Sequence, residues 1–517
     1  MTRAHYSVLT NFLARRAEQA AERNAAASIG RTSTPATTSR RVITRDEAMH
    51  LSDFVREVLD ERYKSVQITH FATAVAMHRH GVPPRCVDVD TLKIGWPTYM
   101  GHNKIQEFTV DTNVGDPETL RRVIADAIVK VTLPPLSQID AEEEAEWEKL
   151  YQPKPYTYPE VHLWNDATVS GADTQRGIMM ARLFAPLKGT SLVGAGSVAM
   201  GQRIFFNRRV DTGTVTWGEA VDSEISITAR SADGAVAGWG GQASRDWTQL
   251  QPEQIAQAAI VRAEQQRGAE RVEPGRYTAI LSATAVGQLL RALAPLFRFG
   301  PASPFDNYNA SGMHQPRDKR GQRLMDPRIT LSTDPTDPLN GDFPFFEDDF
   351  GVSYPSGAVT WIDHGVLKRR SISFRDGLKL GMTPLKDPNC MRMSGDTTTI
   401  EEMIAQCERG IYVNRFSNIE VIDDRSGAMS GFTRDGCLLI MNGKIKKPVK
   451  DFRFYESPVL AFNRVVALGR PERTAFGFTV TRSQQWWRQQ NNWPYPPVVA
   501  PPLMIRDFNF SALADAV

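Results

Sequence analysis

The strongest constraint on the fold is a series of strand-like segments joined by tight turns in the second half of the chain. Between residues 350 and 480, apolar and polar residues alternate in short runs, which is typical of half-buried strands. Asn442-Gly443 separates two such runs, and Asp363-His364-Gly365 separates two others. Asn-Gly is the strongest short signal for a hairpin, because both residues tolerate a left-handed backbone. The second half is therefore predicted to be rich in β-structure.

The length of the chain predicts several domains. It contains 517 residues, and domains of about 100–200 residues imply two to four of them. Helix-like and strand-like segments are mixed in the first half, so the fold class is predicted to be α+β. Apolar residues are dense near the C-terminus, which predicts a docked end. The predicted division is a loosely attached helical arm and linker (1–43), an N-terminal α+β domain (44–270), a β-rich C-terminal domain (271–480) and a docked, Trp- and Pro-rich tail (481–517).

Two capping boxes predict where helices begin. Glu47 follows Thr44 by three residues, and Glu401 follows Thr398 by three; this spacing satisfies free N–H groups at a helix start. Helices are thus expected from Thr44 to about Arg62 and over residues 399–408. Further helices are predicted at 7–28, 119–131, 142–150, 175–187, 252–267 and 283–297, and strands at 66–71, 73–79, 277–281 and, in pieces, over 190–247.

Composition argues against two classes of partner. Lys and Arg number 61 and Asp and Glu 59, a net charge of +2, so no nucleic acid or membrane partner is expected on electrostatic grounds. The sequence has no run of about 18 apolar residues, so no membrane-spanning helix is predicted. No secretion signal is expected either. The four cysteines form no CxxC pair, so free thiols in the cytoplasm are expected. They are Cys86, Cys390, Cys407 and Cys437.

The histidines rule out the commonest zinc-peptidase helix. None of the nine is followed by Glu, so neither HExxH nor HExxxH occurs. His78 and His80 could present two metal ligands on one strand face, although the end of a solvated hairpin is the more favoured interpretation. His364, in its turn, is expected to be structural.

Glycine-rich and acidic segments are weaker candidates. Gly194–Gly196 and Gly238–Gly241 lack the order and the GK[ST] signature of phosphate loops, so close strand packing is their expected role. Ser170-Gly171 forms no GxSxG elbow. Glu347-Asp348-Asp349 could bind a metal or could be a solvated loop. The residues alone therefore identify no catalytic constellation.

A series of landmarks in the second half nevertheless resembles the TldD/PmbA family, also called TldE for the PmbA branch. Each landmark is weak, but their order over roughly 200 residues makes chance an unsatisfactory explanation. They are Glu273–Leu281 with Ala285-Val286-Gly287, Asp349-Phe350-Gly351, Ile362–Lys368, Ser394-Gly395-Asp396, Ile400–Ile404, Arg409–Tyr412 and Leu439–Ile445 with Pro448-Val449.

The resemblance implies an N-terminal α+β domain, a β-rich C-terminal domain and a relationship to zinc peptidases. Active members carry HExxxH and a C-terminal Cys ligand. Where that motif would fall, this chain has Arg291 for the first His, Ala292 for the general-base Glu and Leu296 for the second His. No Cys follows Cys437. The resemblance therefore implies no catalytic residue, no cofactor and no metal in this chain, and an ordinary core helix over 283–297.

The leading hypothesis is a catalytically silent, TldE-like subunit. Its expected partner is a TldD-like subunit that carries HExxxH and the zinc, or a second copy of this chain, and its expected substrate is an extended peptide. One alternative is an enzyme with zinc-independent chemistry that uses Cys390 or Cys407 as nucleophile. The other is a regulatory or interaction protein, for which the older family name, modulator of DNA gyrase, is the sole argument.

Overall fold

The computed structural model describes residues 7–16, 18, 43–59, 65–99, 105–111, 116–129, 156–209, 212–299, 303–306, 319–347, 352–476 and 497–514. Predictions for the linker after residue 28, the helix at 142–150, Asp348 to Gly351 and the segment 477–496 lie outside these residues. The first half is built on six strands: β1 (Ser65–Arg79), β2 (Val82–Tyr99), β3 (Ile105–Asp111), β4 (Leu192–Arg209), β5 (Val215–Ser231) and β6 (Ala237–Ser244). They form an antiparallel sheet in the order β3-β2-β1-β4-β5-β6.

Helices cover one face of this sheet. The helices of the first half are α1 (residues 7–16), α2 (Arg45–Val58), α3 (Pro117–Val129), α4 (Asp166–Thr174), α5 (Arg176–Phe184) and α6 (Pro252–Gln265). Ile68 and Ile204 face α1–α3 at one end of the sheet, while Val198 faces α5 and α6 at the other. These alternate residues lie on the same side of the strands. The capping box of Thr44 and Glu47 is confirmed at the start of α2.

The N-terminal arm contributes to the core. Leu9, Phe12 and Leu13 are each 1% exposed and join the apolar cluster under α2 and α3. Arg15 donates to Glu47 Oε1 of α2 at 2.7 Å. The expectation of a loosely attached arm is therefore wrong for residues 7–16. The apolar residues concentrate in the first turns, and the alanines that follow dilute the helical pattern in the sequence.

Strand glycines permit close packing, as predicted. A Cβ on Gly238 would lie 2.3 Å from Ala259 O, and one on Gly240 would lie 2.5 Å from Ile255 O, both in α6. These glycines therefore let the backbone of α6 approach β6, and they form no phosphate loop. One continuous strand, β1, replaces the two predicted at 66–71 and 73–79, and the turn to β2 is at Gly81, whose φ is +77°.

The second half contains a closed ring of five strands. Its strands are β7 (Gly275–Leu281), β14 (Arg409–Asp423), β15 (Ala428–Met441), β17 (Phe452–Glu456) and β21 (Leu503–Leu513). Each pairs with two others in the order β14-β7-β21-β17-β15, and β15 pairs again with β14. Two further strands extend it: β16 (Lys444–Pro448) on β15 and β18 (Val465–Leu468) on β21.

Aromatic side chains fill the ring. Phe416 of β14 and Phe454 of β17 are not on neighbouring strands, yet their ring centroids are 4.6 Å apart. Phe508 and Phe510 of β21 join them and are fully buried. The predicted docked tail spans 481–517, and the structure describes residues 497–514 of it. Within these residues Leu503–Leu513 forms a central strand of the ring.

Among its described residues, the second half also contains a second sheet and four helices. The sheet has the order β12-β11-β8-β13-β20-β19, and a separate hairpin pairs β9 with β10. Its strands are β8 (Leu331–Thr333), β11 (Val359–Asp363), β12 (Val366–Leu367), β13 (Arg392–Met393), β19 (Glu472–Arg473) and β20 (Val499–Ala500); the hairpin is β9 (Phe345–Glu347) and β10 (Ser353–Pro355). The helices are α7 (Ala283–Leu293), α8 (Phe374–Leu380), α9 (Ile400–Ala405) and α10 (Pro458–Ala461).

The hairpin turns are confirmed and one cap is corrected. His364 and Asn442 have φ of +47° and +50°, and a glycine with positive φ follows each. The capping box of α9 is formed by Thr399 and Glu402, one residue later than the predicted Thr398 and Glu401. The sequence allows either register, because three consecutive threonines, Thr397–Thr399, stand before two consecutive glutamates. Within the described residues, no helix has both the length and the apolarity that crossing a membrane requires.

Candidate functional site

The helix that carries Arg291 and Ala292 is fixed to the ring. Ser282 caps α7, because its Oγ accepts from Ala285 N at 3.2 Å. The side-chain amide of Gln288 pairs with the backbone of Phe416 in β14, donating to the carbonyl at 2.9 Å and accepting from the N–H at 2.8 Å. These contacts join α7 rigidly to β14 and explain how a short helix keeps one orientation.

The three positions that the resemblance equates with the peptidase motif lie on α7 and on the turn that follows it. Arg291 has its guanidinium carbon 5.0 Å from the centroid of the Phe476 ring. Ala292 packs at the edge of the large apolar core. Leu296 is 8% exposed and belongs to that core. The prediction of a core helix over 283–297 is confirmed as α7 followed by a 3-10 turn at Ala294–Phe297.

This position does not fit a zinc ion. A zinc site needs three or four nitrogen, sulfur or oxygen ligands at about 2.0–2.3 Å. Ala292 and Leu296 end in hydrocarbon, and the guanidinium of Arg291 is a permanent cation that would repel the metal. Across the described ranges, no group of three or more His, Cys, Asp or Glu is arranged to hold a metal ion.

The candidate nucleophiles are poorly placed for reaction. Cys390 is 5% exposed, and burial together with the Asp342 carboxylate raises the pKa of its thiol to about 12. Cys407 is 1% exposed, and burial raises its thiol pKa as well. A thiol reacts as the thiolate, so both sites disfavour the reactive form at neutral pH.

A pocket opens beside Cys390. Its space is about 490 Å³, including open solvent at the mouth. Trp361 and Phe343 give it apolar walls, and Lys386 adds a charged group. The described lining residues include no histidine that could serve as a base for the thiol. The pocket could take an apolar side chain, but it offers no nucleophile–base pair.

A cluster of charges holds the wall of this pocket against the first half of the chain. Asp342 accepts from Arg203 of β4 at 2.7 Å and pairs with Lys386. Burial alone would raise the pKa of Asp342, but the two cations outweigh it and hold that pKa well below its usual range. Arg245 donates to the carbonyl oxygens of Pro338, at 3.2 Å, and of Gly341. The loop at 337–342 is thereby fixed to the sheet.

Aromatic packing reinforces this junction. Phe205 of β4 lies 5.2 Å, centroid to centroid, from Phe345 of β9. A Cβ on Gly218 would lie 2.8 Å from the Phe345 ring, so this glycine makes room for the contact. The second half thus covers the sheet face opposite the helices.

A third set of contacts joins the ring to β6. The Asn414 side chain donates to Trp239 O at 3.3 Å and to Asp435 O at 3.1 Å. The Arg415 guanidinium carbon is 5.0 Å from the Trp239 ring centroid, and Arg415 forms a buried ion pair with Asp435. A bulge at Asp435-Gly436, with φ of +57° and +133°, creates this arrangement.

The remaining sequence candidates are dispersed. The ring of His78 packs on Phe184 at 4.6 Å, and the exposed His80 is in the hairpin turn. His364 Nδ1 is 2.8 Å from Asp363 Oδ1 on an exposed turn. Glu347 accepts from Ser353 Oγ at 3.2 Å, whereas Asp348 and Asp349 lie outside the described residues. The structure brings none of these groups to the Arg291 position.

Sequence reasoning missed the charged junction. Arg203 and Asp342 are 139 residues apart, and Asp222 and the Arg473 that pairs with it are 251 apart. No local pattern links such partners. The one available signal was the dipeptide Asp435-Gly436, which is typical of a left-handed turn or bulge.

Comparisons with known proteins find one matching family model and several similar solved structures. Residues 274–512 match the family model described as the PmbA/TldA metallopeptidase C-terminal domain. A search of curated protein sequences finds no significant match. Three similar solved structures each have a TM-score of 0.65. A proposed modulator of DNA gyrase from Bacteroides thetaiotaomicron is 17% identical, over 90% of this chain and 100% of that one.

Two further solved structures are similar. A proposed modulator of DNA gyrase from Thermotoga maritima is 15% identical, and TldE from Thermococcus kodakarensis is 16% identical. Each similarity covers 89% of this chain and 99% of the other. At these identities the similarity establishes the fold, which extends over both halves of the chain.

Proposed function

Residues 274–512 match the PmbA/TldA metallopeptidase C-terminal domain, and on that premise we propose that the chain is a TldD/PmbA family member and a non-catalytic, TldE-like subunit of a two-chain zinc peptidase. The observation that carries the proposal is the Arg291, Ala292 and Leu296 set on a rigid helix. It supplies neither a metal ligand nor a general base, so nothing there lowers the pKa of a water molecule or polarises a scissile carbonyl.

In this proposal the partner is a TldD-like subunit that carries HExxxH and binds the zinc. The present chain helps to enclose an extended peptide, and the complex degrades or matures unfolded or precursor peptides. The intact framework supports a role that depends on shape, since α7 is fixed to β14 and the two halves are joined at several places. The buried free thiols Cys390, Cys407 and Cys437 are consistent with a cytoplasmic location.

The rival reading, a zinc-independent enzyme, has less support. The raised thiol pKa values of Cys390 and Cys407 disfavour nucleophilic attack, as argued above. A role on DNA also has less support. The net charge of +2 gives no electrostatic reason to expect a nucleic-acid partner.

The test measures hydrolysis of an unstructured peptide. This chain, an HExxxH-bearing TldD-like subunit from the same source, and their mixture are assayed with and without a chelator. We expect no cleavage by this chain alone and chelator-sensitive cleavage that requires both chains. Full activity of the partner alone, with no complex on size exclusion, would contradict the proposal.

Cysteine variants separate the rival reading. If this chain cleaves alone in the presence of chelator, Cys390→Ala and Cys407→Ala should abolish the activity. Cys437→Ala is the matched control. Cys437, in β15 of the ring, is buried like the two candidates and was not proposed as a nucleophile.

A further inference from the structure

The pocket beside Cys390 is lined by polar groups that the fold does not use. Asp334 is one of them, and its Oδ1 accepts from the Thr336 N–H at 2.8 Å and from the Thr336 hydroxyl at 2.7 Å. Among the described residues, no Lys or Arg forms an ion pair with this carboxylate, and its second oxygen has no hydrogen bond. The side chains of Ser356 and Asn389 also line the pocket, and within the same part of the chain they make no hydrogen bond.

The other charged groups of the pocket already have partners. Asp342 is shared between Lys386 and Arg203, and Asp387 pairs with Arg298. Lys386 is the cation named among the lining residues, and Asp342 neutralises it. A positively charged ligand would therefore meet a paired ammonium group on one side and the unpaired Asp334 carboxylate on the other.

The walls of the pocket are apolar. Trp361 is 1% exposed and Phe343 is 7% exposed, and Leu385 and Val359 add aliphatic surface. The indole N–H of Trp361 is already used, because it donates to Thr333 Oγ1 at 3.0 Å. Such walls suit the hydrocarbon stem of a long side chain, which can be buried while its polar end finds other partners.

The unused polar groups decide which polar end fits. Asp334 offers an anionic acceptor, Asn389 an amide oxygen and Ser356 a hydroxyl oxygen. Lys has three donors and Arg has five, and neither has an acceptor, so either could bond to several of these oxygens at once. A bond to the carboxylate would be charge-assisted and strong. An acidic side chain would be repelled by Asp334, and a purely apolar one would bury the carboxylate without a partner, which is costly.

One wall of the pocket packs against the turn that follows α7. The ring centroids of Trp361 and Phe297 are 5.7 Å apart, and Phe297 ends the 3-10 turn at Ala294–Phe297. On another side, the loop at 337–342 is fixed to the first half through Asp342 and Arg203. The pocket is thus built on fixed elements next to the helix of the degenerate motif, so a ligand would pay little to order it.

We propose that this pocket binds the side chain of a Lys or Arg residue of an extended peptide, with Asp334 holding the charged end. Its role in gripping substrate rests on the proposed function. The hydrocarbon stem lies against the apolar walls, and the donors of the charged end bond to Asp334, Ser356 and Asn389. The substrates of the complex are then peptides that carry a basic residue.

The test measures dissociation constants by fluorescence polarisation for the full-length chain alone. The probes are four labelled Gly-Ser peptides that differ only in a central Arg, Lys, Leu or Glu. The Arg and Lys peptides should bind at least about tenfold more tightly than the other two. Asp334→Asn keeps an acceptor for the Thr336 bonds and removes the charge. It should weaken the Arg and Lys peptides about tenfold and leave the Leu peptide unchanged.

Two more variants complete the design. Gly357→Trp should weaken binding of the Arg and Lys peptides by obstructing the pocket, since Gly357 lines it and a Cβ there meets no atom within 4 Å. Asp233→Asn is the matched control, because Asp233 is an exposed turn aspartate of the first half. It accepts from the Ser231 hydroxyl at 2.5 Å and from the Ala235 N–H at 3.0 Å, and its replacement should change no dissociation constant.

Each outcome has a distinct meaning. If no peptide binds at up to about 1 mM, or if the Leu peptide binds as tightly as the basic ones, the inference is wrong. The proposed function is unaffected by that result, because hydrolysis by the mixed subunits tests it separately. If Asp334→Asn binds the basic peptides as well as the wild type does, they bind elsewhere and the inference is again wrong. If the preference depends on Asp334 but the mixed subunits cleave nothing, the pocket stands as a peptide site and the proposed function fails.

Discussion

Two buried carboxylates, each beside a buried cysteine, behave in opposite ways. Asp342, at the junction of the halves, has Cys390 as neighbour, and Asp451, at the start of β17, lies 3.7 Å from Cys437 Sγ. Burial tends to raise the pKa of both carboxyls. Arg203 and Lys386 reverse this at Asp342. At Asp451, burial and the negative charge of Asp435 prevail and raise the pKa to about 6, against the hydrogen bond from Thr433.

The difference shows that burial alone does not decide whether a carboxyl group is charged. Asp342 is an anion that neutralises two cations and ties the loop 337–342 to β4. Asp451 is held by weaker, mostly neutral donors, namely the Thr433 hydroxyl at 3.0 Å and the Cys437 thiol. The first carboxylate stabilises the fold as an anion, whereas the second contributes most as the protonated acid, below about pH 6.

The largest expected effect comes from removing the anion at the junction. Asp342→Asn leaves Arg203 and Lys386 close together without their shared partner. Breaking such a partly buried pair destabilises a protein by about 3 kcal/mol. Chemical denaturation followed by tryptophan fluorescence measures the change in unfolding free energy.

A surface ion pair provides the control for Asp342. Glu253 pairs with Arg182 at 2.6 Å, and both side chains are nearly half exposed. Glu253→Gln should leave the denaturation curve unchanged, since exposed pairs contribute little. If Asp342→Asn is as harmless as this control, the junction does not depend on a buried anion.

The opposite sign is expected at Asp451. Its carboxyl titrates near 3.8 in the unfolded chain and near 6 in the folded one. As pH rises through this window the unfolded chain releases the proton first, so stability falls, and the loss is complete above about pH 6. Asp451→Asn should therefore stabilise the protein at pH 7.5 by up to about 3 kcal/mol and by less at pH 5.

Measurement of unfolding free energy at pH 5.0, 6.0 and 7.5 checks this prediction. The variant minus wild-type difference in unfolding free energy should grow with pH and level off above pH 6. Asp342 works in the reverse direction, because its pKa is lowered: its contribution is present above pH 3.8 and is lost only in stronger acid. A destabilised Asp451→Asn variant at all three pH values would show that the carboxyl is needed as an anion.

The smallest effect concerns the thiols beside these two carboxylates, Cys390 and Cys437, which should both resist alkylation. Burial and Asp342 raise the thiol pKa of Cys390, and burial and Asp451 raise that of Cys437. In native protein at pH 8, iodoacetamide should modify them at least about a hundredfold more slowly than in urea. Peptide mass spectrometry reads each cysteine separately. Rapid modification of Cys390 alone would restore it as a candidate nucleophile.

Local signals in the sequence predicted local structure well. Asn442-Gly443 and the Thr44–Glu47 box specify their turn and helix start through neighbouring residues. The family landmarks predicted the β-rich second half and the core helix at 283–297. The candidate site followed from the same landmarks, since Arg291, Ala292 and Leu296 are read directly from the motif position.

Contacts between distant residues were beyond reach. Arg203 and Asp342 carry no mark that they belong together, and neither do Arg276 and Arg464, which both donate to the carbonyl oxygen of Asp507 at the bulge in β21. The helix at residues 7–16 was underestimated for a related reason. Its few apolar residues stabilise the fold only because α2 and β2 supply the surface on which they are buried.

The closed ring has a consequence for how the chain folds. β7 begins the second half, yet one of its neighbours in the sheet is β21, more than two hundred residues later. During synthesis the ring stays open until the last strand leaves the ribosome. Pairings of such long sequence separation form slowly, and unpaired strand edges are exposed to aggregation meanwhile. Truncation before Leu503 would thus remove β21 and leave the aromatic core unclosed.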